Sequence, residues 1–209
     1  MNRTILLTGG ETAKSIYREM RDIDEEGSFL ERSNFFLTDE RCVPSANNFS
    51  NYRMILENLF CNQLPKSSVL HKMFLSEQGI ENSVINYENL IPPLIDLLIL
   101  SVGSDGHIAS IFNNSFILDG PLKLVGSVSG GDLAIKRITI LPSVIVRANA
   151  TVILAIGKQK ERFAMFAREE PEKLKNMPIG LVSNAIWIVG DDFRMAAKKM
   201  LEVWKDAVR

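Results

Sequence analysis

The sequence predicts an α/β fold built on a mostly parallel sheet. Three observations predict it. Short strand-like apolar runs alternate with segments of helical periodicity along the chain. The run at 95–102 is almost continuously apolar, interrupted only by Asp96 and Ser101, as expected of a strand covered on both faces. Several runs end in glycine turns, at Gly9-Gly10, Gly103 to Gly106, Gly157 and Gly190. No repeat, low-complexity tract or linker divides the chain, so residues 1–209 read as one domain.

The elements follow in order. Residues 4–7 form a short strand that runs into Gly9-Gly10, and a helix follows with Ile16, Tyr17 and Met20 on one face. Such a strand, turn and helix can present backbone N–H groups to a phosphate; the alternative is an ordinary tight turn. Residues 34–37 form the next strand, which ends in Thr38-Asp39-Glu40-Arg41-Cys42-Val43-Pro44. Three consecutive charges at a strand end are unusual for a connector, although a solvated turn with a local ion pair is the better reading of these residues in isolation. After the polar run 45–50, Tyr52, Ile55, Leu56, Leu59 and Phe60 have amphipathic helical spacing, with Ser50 or Asn51 as the cap. Residues 69–75 suggest a short strand and 83–90 a helix that stops before Pro92-Pro93. The central strand 95–102 breaks at Gly103-Ser104-Asp105-Gly106, and a helix is expected to begin at His107. Residues 113–133 read as a long loop with one edge strand around the apolar island 122–128. Strands are expected at 137–141, 151–156 and 185–189, with helices at 143–148 and from Gly157 onward. Pro171 and Pro178 bracket a connector. The last helix should bury Ala197, Met200, Leu201, Trp204 and Val208.

Composition narrows the function classes. A 46% hydrophobic chain of 209 residues can build a full core. A net charge of −1, from nearly balanced acids and bases, gives no basic surface for nucleic acid. No segment approaches the roughly 20 apolar residues that span a bilayer, and the first residues lack the length and cleavage pattern of a signal peptide. Two cysteines, Cys42 and Cys61, are too few for a disulfide framework and suit a reduced, cytoplasmic protein. No third group stands out to make Cys42 a reactive thiol. With only His71 and His107 and no cysteine pair, no metal site is expected. His71 has no obvious catalytic companion and reads as structural or exposed.

Four strand ends carry the distinctive polar groups: Gly9, Gly10 and Thr12; Asp39 and Arg41; Asp105 and His107; Lys158 and Lys160. In a parallel sheet these ends share one edge, where ligands bind. At a helix start, His107 would be kept neutral by the helix dipole, which suits a general base. Asp105 would orient the ring or the water it activates. Arg41 and Lys160 would hold an anion, with help from the Gly9-Gly10 amides. This describes a metal-free site for a small phosphorylated molecule. The alternative for His107 is a helix-capping residue without catalysis.

The segment Val102-Gly103-Ser104-Asp105-Gly106-His107-Ile108-Ala109-Ser110-Ile111-Phe112 closely resembles the G-x-D-G-H-T-A-S-L-F segment of 6-phosphogluconolactonases. Thr38 to Pro44, followed by Ser50-Asn51-Tyr52, looks like that family's D-E-R-x-V-P and S-N-Y segments. Arg137-Ile138-Thr139, Gly157-x-x-Lys160 and Trp187-Ile188-Val189-Gly190-Asp191 are similar to three further family segments, in family order. The resemblance implies a Rossmann-like three-layer α/β/α sandwich, related to glucosamine-6-phosphate deaminase and ribose-5-phosphate isomerase. It implies hydrolysis of 6-phosphoglucono-1,5-lactone to 6-phosphogluconate, with His107 as the base, Asp105 supporting it, and no cofactor. Arg41, Arg137 and Lys160, with Gly9, Gly10, Thr12 and Asp39, would bind the substrate. The expected partner is a phosphorylated sugar lactone, with the chain a monomer or weak homodimer.

This chain departs from the pattern in places. Glu11 stands in the first loop where the family has a serine, and a carboxylate there disfavours phosphate unless it points away or pairs with a cation. Ile108 replaces the family threonine, and Asn113 the proline after Phe112. Two rivals share the resemblance. A deaminase carries a functional Glu five residues after the His, where Phe112 stands here. A non-catalytic sugar-phosphate sensor would need no base, yet Asp105 and His107 are both present.

Overall fold

The computed structural model describes residues 2–24, 29–113, 123–130 and 135–207. The first strand, β1 (Arg3–Leu7), leads into α1 (Glu11–Ile23). Next come β2 (Ser33–Leu37), β3 (Asp39–Arg41) and α2 (Asn51–Asn58). After them come β4 (Val69–Leu70), α3 (Gly79–Leu90) and β5 (Leu97–Ser101). The second half holds β6 (Val125–Val128), β7 (Arg137–Ile140), α4 (Pro142–Ile145) and β8 (Thr151–Ala155). It ends with α5 (Glu161–Glu169), β9 (Ile186–Val189) and α6 (Arg194–Ala207).

Six strands form one sheet in the order β4-β2-β1-β5-β8-β9, and all of its pairings are parallel. This is the predicted α/β architecture. β5 lies inside the sheet, with Leu98 and Leu100 fully buried and Ile99 nearly so. Each such side chain contributes about 1.5–3 kcal/mol by leaving water. Asp96, the charge that interrupts the run, sits just before β5. Its Oδ2 accepts from the Thr4 N–H at 2.7 Å and so extends the β1–β5 ladder. Tyr17 on α1 and Tyr87 on α3 are buried, and each phenol finds a backbone partner. Tyr17 donates to the Thr8 carbonyl (2.8 Å), and Tyr87 bonds both the N–H and the carbonyl of Leu37.

The sequence reading missed a second sheet. β3, β7 and β6 form an antiparallel sheet in that order, with β6 at its edge. The charged run Asp39–Arg41 is thus a strand and not a turn. Its charges hid its pairing, because a strand of three residues is too short for an alternation signal. β6 is the expected edge strand within the island 122–128; residues 114–122 and 131–134 lie outside the described residues.

Other boundaries shift. α3 begins at Gly79, four residues early, and β4 stops at Leu70. The connector bracketed by Pro171 and Pro178 is two 3-10 helices, Pro171–Asn176 and Pro178–Val182. α6 buries Ala196, Met200 and Trp204, while Leu201 is 48% exposed, contrary to expectation. Trp204 packs on Trp187 at 5.6 Å between ring centroids. Val208 lies outside the described residues. His71 is structural as expected: half-buried, its ring stacks on Phe36 at 4.4 Å.

Candidate active site

The carboxyl end of β5 opens into the turn that carries Asp105 and His107. Gly106 N–H bonds the Gly103 carbonyl (3.1 Å) and Gly103 N–H bonds the His107 carbonyl (2.8 Å), closing a tight loop. Two glycines are required here. Gly106 has φ +84°, and a Cβ there would lie 2.5 Å from Met177 Cε. A Cβ on Gly103 would lie 2.1 Å from His107 Cε1, so the imidazole occupies the space a side chain would fill.

Asp105 grips His107 twice through one oxygen. Oδ1 accepts the His107 backbone N–H at 3.2 Å and faces ring Nδ1 at 2.5 Å. The hydrogen bond from His107 holds the Asp105 carboxyl down at about 2, against the upward effect of its partial burial. An ionised Asp105 fixes the ring proton on Nδ1 and leaves Nε2 as the free acceptor.

No helix begins at His107, contrary to expectation. Residues 107–113 are described as turn, irregular backbone and isolated bridges, Val102 with Ile108 and Ile108 with Ile111, and Ala109 adopts φ +50°. The helical spacing of Ile108 and Ile111 reflects burial of both side chains. Tertiary hydrogen bonds decide the backbone: Ser110 N–H donates to Thr139 Oγ1 (3.1 Å), and Ser110 Oγ donates to Asp39 Oδ2 (2.6 Å). The polarising partner of His107 is therefore Asp105 and not a helix dipole.

The small sheet supplies the cations. β3 and β7 pair so that Arg41 lies directly opposite Arg137, and Asp39 opposite Thr139. Like charges facing across a ladder repel. Asp39, two residues from Arg41 on the same face, offsets this; its Oδ2 lies 3.9 Å from Arg137 Nη1. Arg137 is 8% exposed and also lies over the Phe112 ring, which packs on His107 as well. Arg41 Nη1 donates to the Phe49 carbonyl (2.8 Å) and to Asn51 Oδ1 (3.0 Å).

The first glycine loop faces this pair. Gly10 adopts φ +95°, and a Cβ on Gly9 would sit 2.0 Å from Asn51 Oδ1. Thr12 lines the site, but its hydroxyl is already engaged. It donates to the Ile156 carbonyl (3.0 Å) and accepts from Gln159 Nε2 (3.0 Å), tying the first loop to the one after β8. Glu11 lines the rim of the cavity with its side chain 83% exposed, and Lys14 Nζ lies 3.8 Å from its carboxylate, so the pairing condition for tolerating a carboxylate there is met. Lys160 is buried and donates to the Val102 carbonyl. Burial lowers its ammonium pKa, and nearby Asp105 opposes that shift. Lys158 is exposed and does not line the cavity.

These groups enclose one cavity of about 480 Å³. Every predicted site residue except Asp105 lines it: Gly9, Gly10, Thr12, Asp39, Arg41, His107, Arg137 and Lys160. Asp105 stands behind His107. Sequence reasoning missed Asn51, Gln159 and Ser110; the first two line the cavity and Ser110 braces Asp39 beneath it. Asn51 is visible in the sequence as a possible helix cap and within the Ser50-Asn51-Tyr52 segment, but with no role in the site; the cap is Ser50. The Cys42 thiol is pushed up to about 11, mainly by burial, which disfavours the thiolate. Among the described residues, no three His, Cys, Asp or Glu side chains cluster where they could hold a metal. No described helix is long and apolar enough to cross a membrane.

Comparison with known proteins identifies the family and the fold. A family model described as glucosamine-6-phosphate isomerases/6-phosphogluconolactonase matches residues 2–188. The 6-phosphogluconolactonase of Thermotoga maritima is 31% identical over 193 residues, which cover 89% of this chain and 83% of that protein. The 6-phosphogluconolactonase of Borreliella burgdorferi is 33% identical over 138 residues, 62% of this chain and 59% of that protein's length. The crystal structure of a Thermotoga maritima 6-phosphogluconolactonase superposes with a TM-score of 0.74 at 28% identity, over 91% of this chain and 86% of that one. The chain therefore belongs to the glucosamine-6-phosphate isomerase/6-phosphogluconolactonase family.

Proposed function

We propose that this protein hydrolyses 6-phospho-D-glucono-1,5-lactone to 6-phospho-D-gluconate, the second step of the oxidative pentose phosphate pathway. The observation that carries this reading is the Asp105–His107 pair on one wall of a cavity that also holds Arg41, Arg137 and Lys160. Its relatives named 6-phosphogluconolactonase support the substrate.

The chemistry follows from the groups present. His107 Nε2 takes a proton from water as the water oxygen bonds to C1 of the lactone. The carbonyl electrons move onto oxygen, giving a tetrahedral oxyanion. On collapse the bond from C1 to the ring oxygen breaks, and that oxygen takes the proton back from the imidazolium. Asp105 stabilises the imidazolium between the two steps. A δ-lactone carbonyl is already electrophilic, so this base and nearby positive charge suffice. Arg41 and Arg137, side by side, hold the phosphate with the Gly9 and Gly10 amides. Lys160, close to Asp105, puts its charge at the reacting end. Two free cysteines suit a reducing cytoplasm.

Deamination of glucosamine 6-phosphate would call on a carboxylate where Phe112 stands, and Phe112 instead packs between His107 and Arg137. The test is hydrolysis of freshly generated lactone, with spontaneous hydrolysis subtracted, beside ammonia release from glucosamine 6-phosphate. The reading expects the first reaction and not the second. No lactone hydrolysis above background overturns it.

A further inference from the structure

Glu40 lies beside the cavity and does not line it. It is 3% exposed, and its carboxylate accepts four hydrogen bonds. The donors are the N–H groups of Arg41 (2.8 Å), Asn51 (2.7 Å) and Tyr52 (2.8 Å) and the Ser50 hydroxyl (3.0 Å). Arg41 closes β3, while Ser50, Asn51 and Tyr52 open α2. One side chain therefore ties both ends of the loop 42–50.

The same tie fixes what faces the ligand. Arg41 Nη1 rests on the Phe49 carbonyl and on Asn51 Oδ1, and both residues sit at the far end of that loop. Asn51 Nδ2 donates to the Asp39 carbonyl (2.9 Å) and to Asp39 Oδ1 (3.3 Å), which locks its amide over Gly9. Arg41 Nη2 makes no hydrogen bond among the described residues and remains available. The N-terminus of a helix attracts anions. At α2 the Glu40 carboxylate already occupies that place, so an incoming anion meets Arg41 and not the helix end.

We propose that Glu40 is a positioning residue: by tying β3 to the first turn of α2 it holds Arg41, in part through Asn51, toward the cavity and sets the affinity for the substrate's anionic group without touching it. This rests on the sugar-phosphate reading of the cavity.

The experiment is a double-mutant cycle on the intact protein, with Glu40→Gln, Arg41→Ala and both together. Glu40→Gln should raise KM about tenfold and leave kcat within about twofold. Arg41→Ala should raise KM at least as much, and the double variant should be no worse than Arg41→Ala, because Glu40 acts through Arg41. A merely structural Glu40 gives a different pattern: KM effects that multiply, or a lower active fraction with KM unchanged. Either overturns the proposal. If Glu40→Gln does not fold, Ser50→Ala removes one donor. It should raise KM about two- to threefold in the wild-type background and not in Arg41→Ala; an unchanged KM in the wild-type background overturns the proposal. Calorimetric titration with 6-phosphogluconate separates this from the reaction itself. The same pattern in Kd without turnover leaves Glu40 in its role and removes the lactonase reading. A Kd that Arg41→Ala weakens and Glu40→Gln does not overturns the role of Glu40.

Discussion

Arg41 and Arg137 stand directly opposite each other on the antiparallel strands β3 and β7, with Asp39 diagonal to the pair. Two guanidinium groups are held together at a cost in repulsion that a bound anion relieves. Arg137→Lys keeps the charge but loses the planar fork. It should raise KM for the phosphorylated lactone about tenfold or more, with a smaller change in kcat. Steady-state kinetics at two ionic strengths check this. Wild-type KM should also rise with salt, since a partly open site is screened.

Asp105 Oδ1 grips His107 at both its backbone N–H and its ring Nδ1. Asp105→Asn keeps the size but can place an N–H against Nδ1, which favours the tautomer that leaves Nε2 protonated. The expected result is a fall in kcat of about 10²- to 10⁴-fold with KM within about twofold. A kcat near wild type would show that the ring is oriented by something else.

Gly103 makes room for the imidazole. Gly103→Ala adds a Cβ that would lie 2.1 Å from His107 Cε1. The ring must move, and a displacement of about 1 Å is enough to lower kcat about 10²-fold. The strand behind it is unaffected, so the far-UV circular dichroism and thermal midpoint should stay close to wild type.

Glu40 also predicts a pH signature in stability. Burial pushes its carboxyl up from the ordinary 4.5 to about 7, against the four donors that favour the ionised form. A pKa raised on folding contributes stability that is fully present below 4.5 and is lost as pH rises through about 7. The thermal midpoint of wild type relative to Glu40→Gln should therefore fall between those values. Cys42 and Tyr87, which flank Glu40, stay neutral across this window because burial raises both. The contribution of Asp105 has the opposite sign: it is present above 3.8 and lost as pH falls through about 2, outside the window. A flat difference from pH 4.5 to 7 would contradict the buried-acid assignment.

The parallel sheet was legible because its signal is local. An apolar run such as 95–102, ended by glycines, has few other uses. The small sheet was not legible, because the three residues of β3 are chosen for the site and not for packing. The local conformation after His107 was misread for a related reason. Ile108 and Ile111 have helical spacing, yet the bonds from Ser110 to Asp39 and Thr139 come from strands more than 25 residues away in sequence. The residues of the cavity were largely legible, since each sits at a strand end. What the sequence hid was the wiring behind them. Asn51 looks like a cap and Glu40 like a surface charge, until α2 and β3 are brought together.

The central claim is that His107 is the base. The most direct measurement is the initial rate of hydrolysis of fresh 6-phosphogluconolactone by wild type and by His107→Ala, each corrected for spontaneous hydrolysis. The account predicts a loss of about 10²- to 10⁴-fold in kcat, with a folded protein that still binds 6-phosphogluconate. A His107→Ala variant that hydrolyses the lactone at the wild-type rate would contradict it.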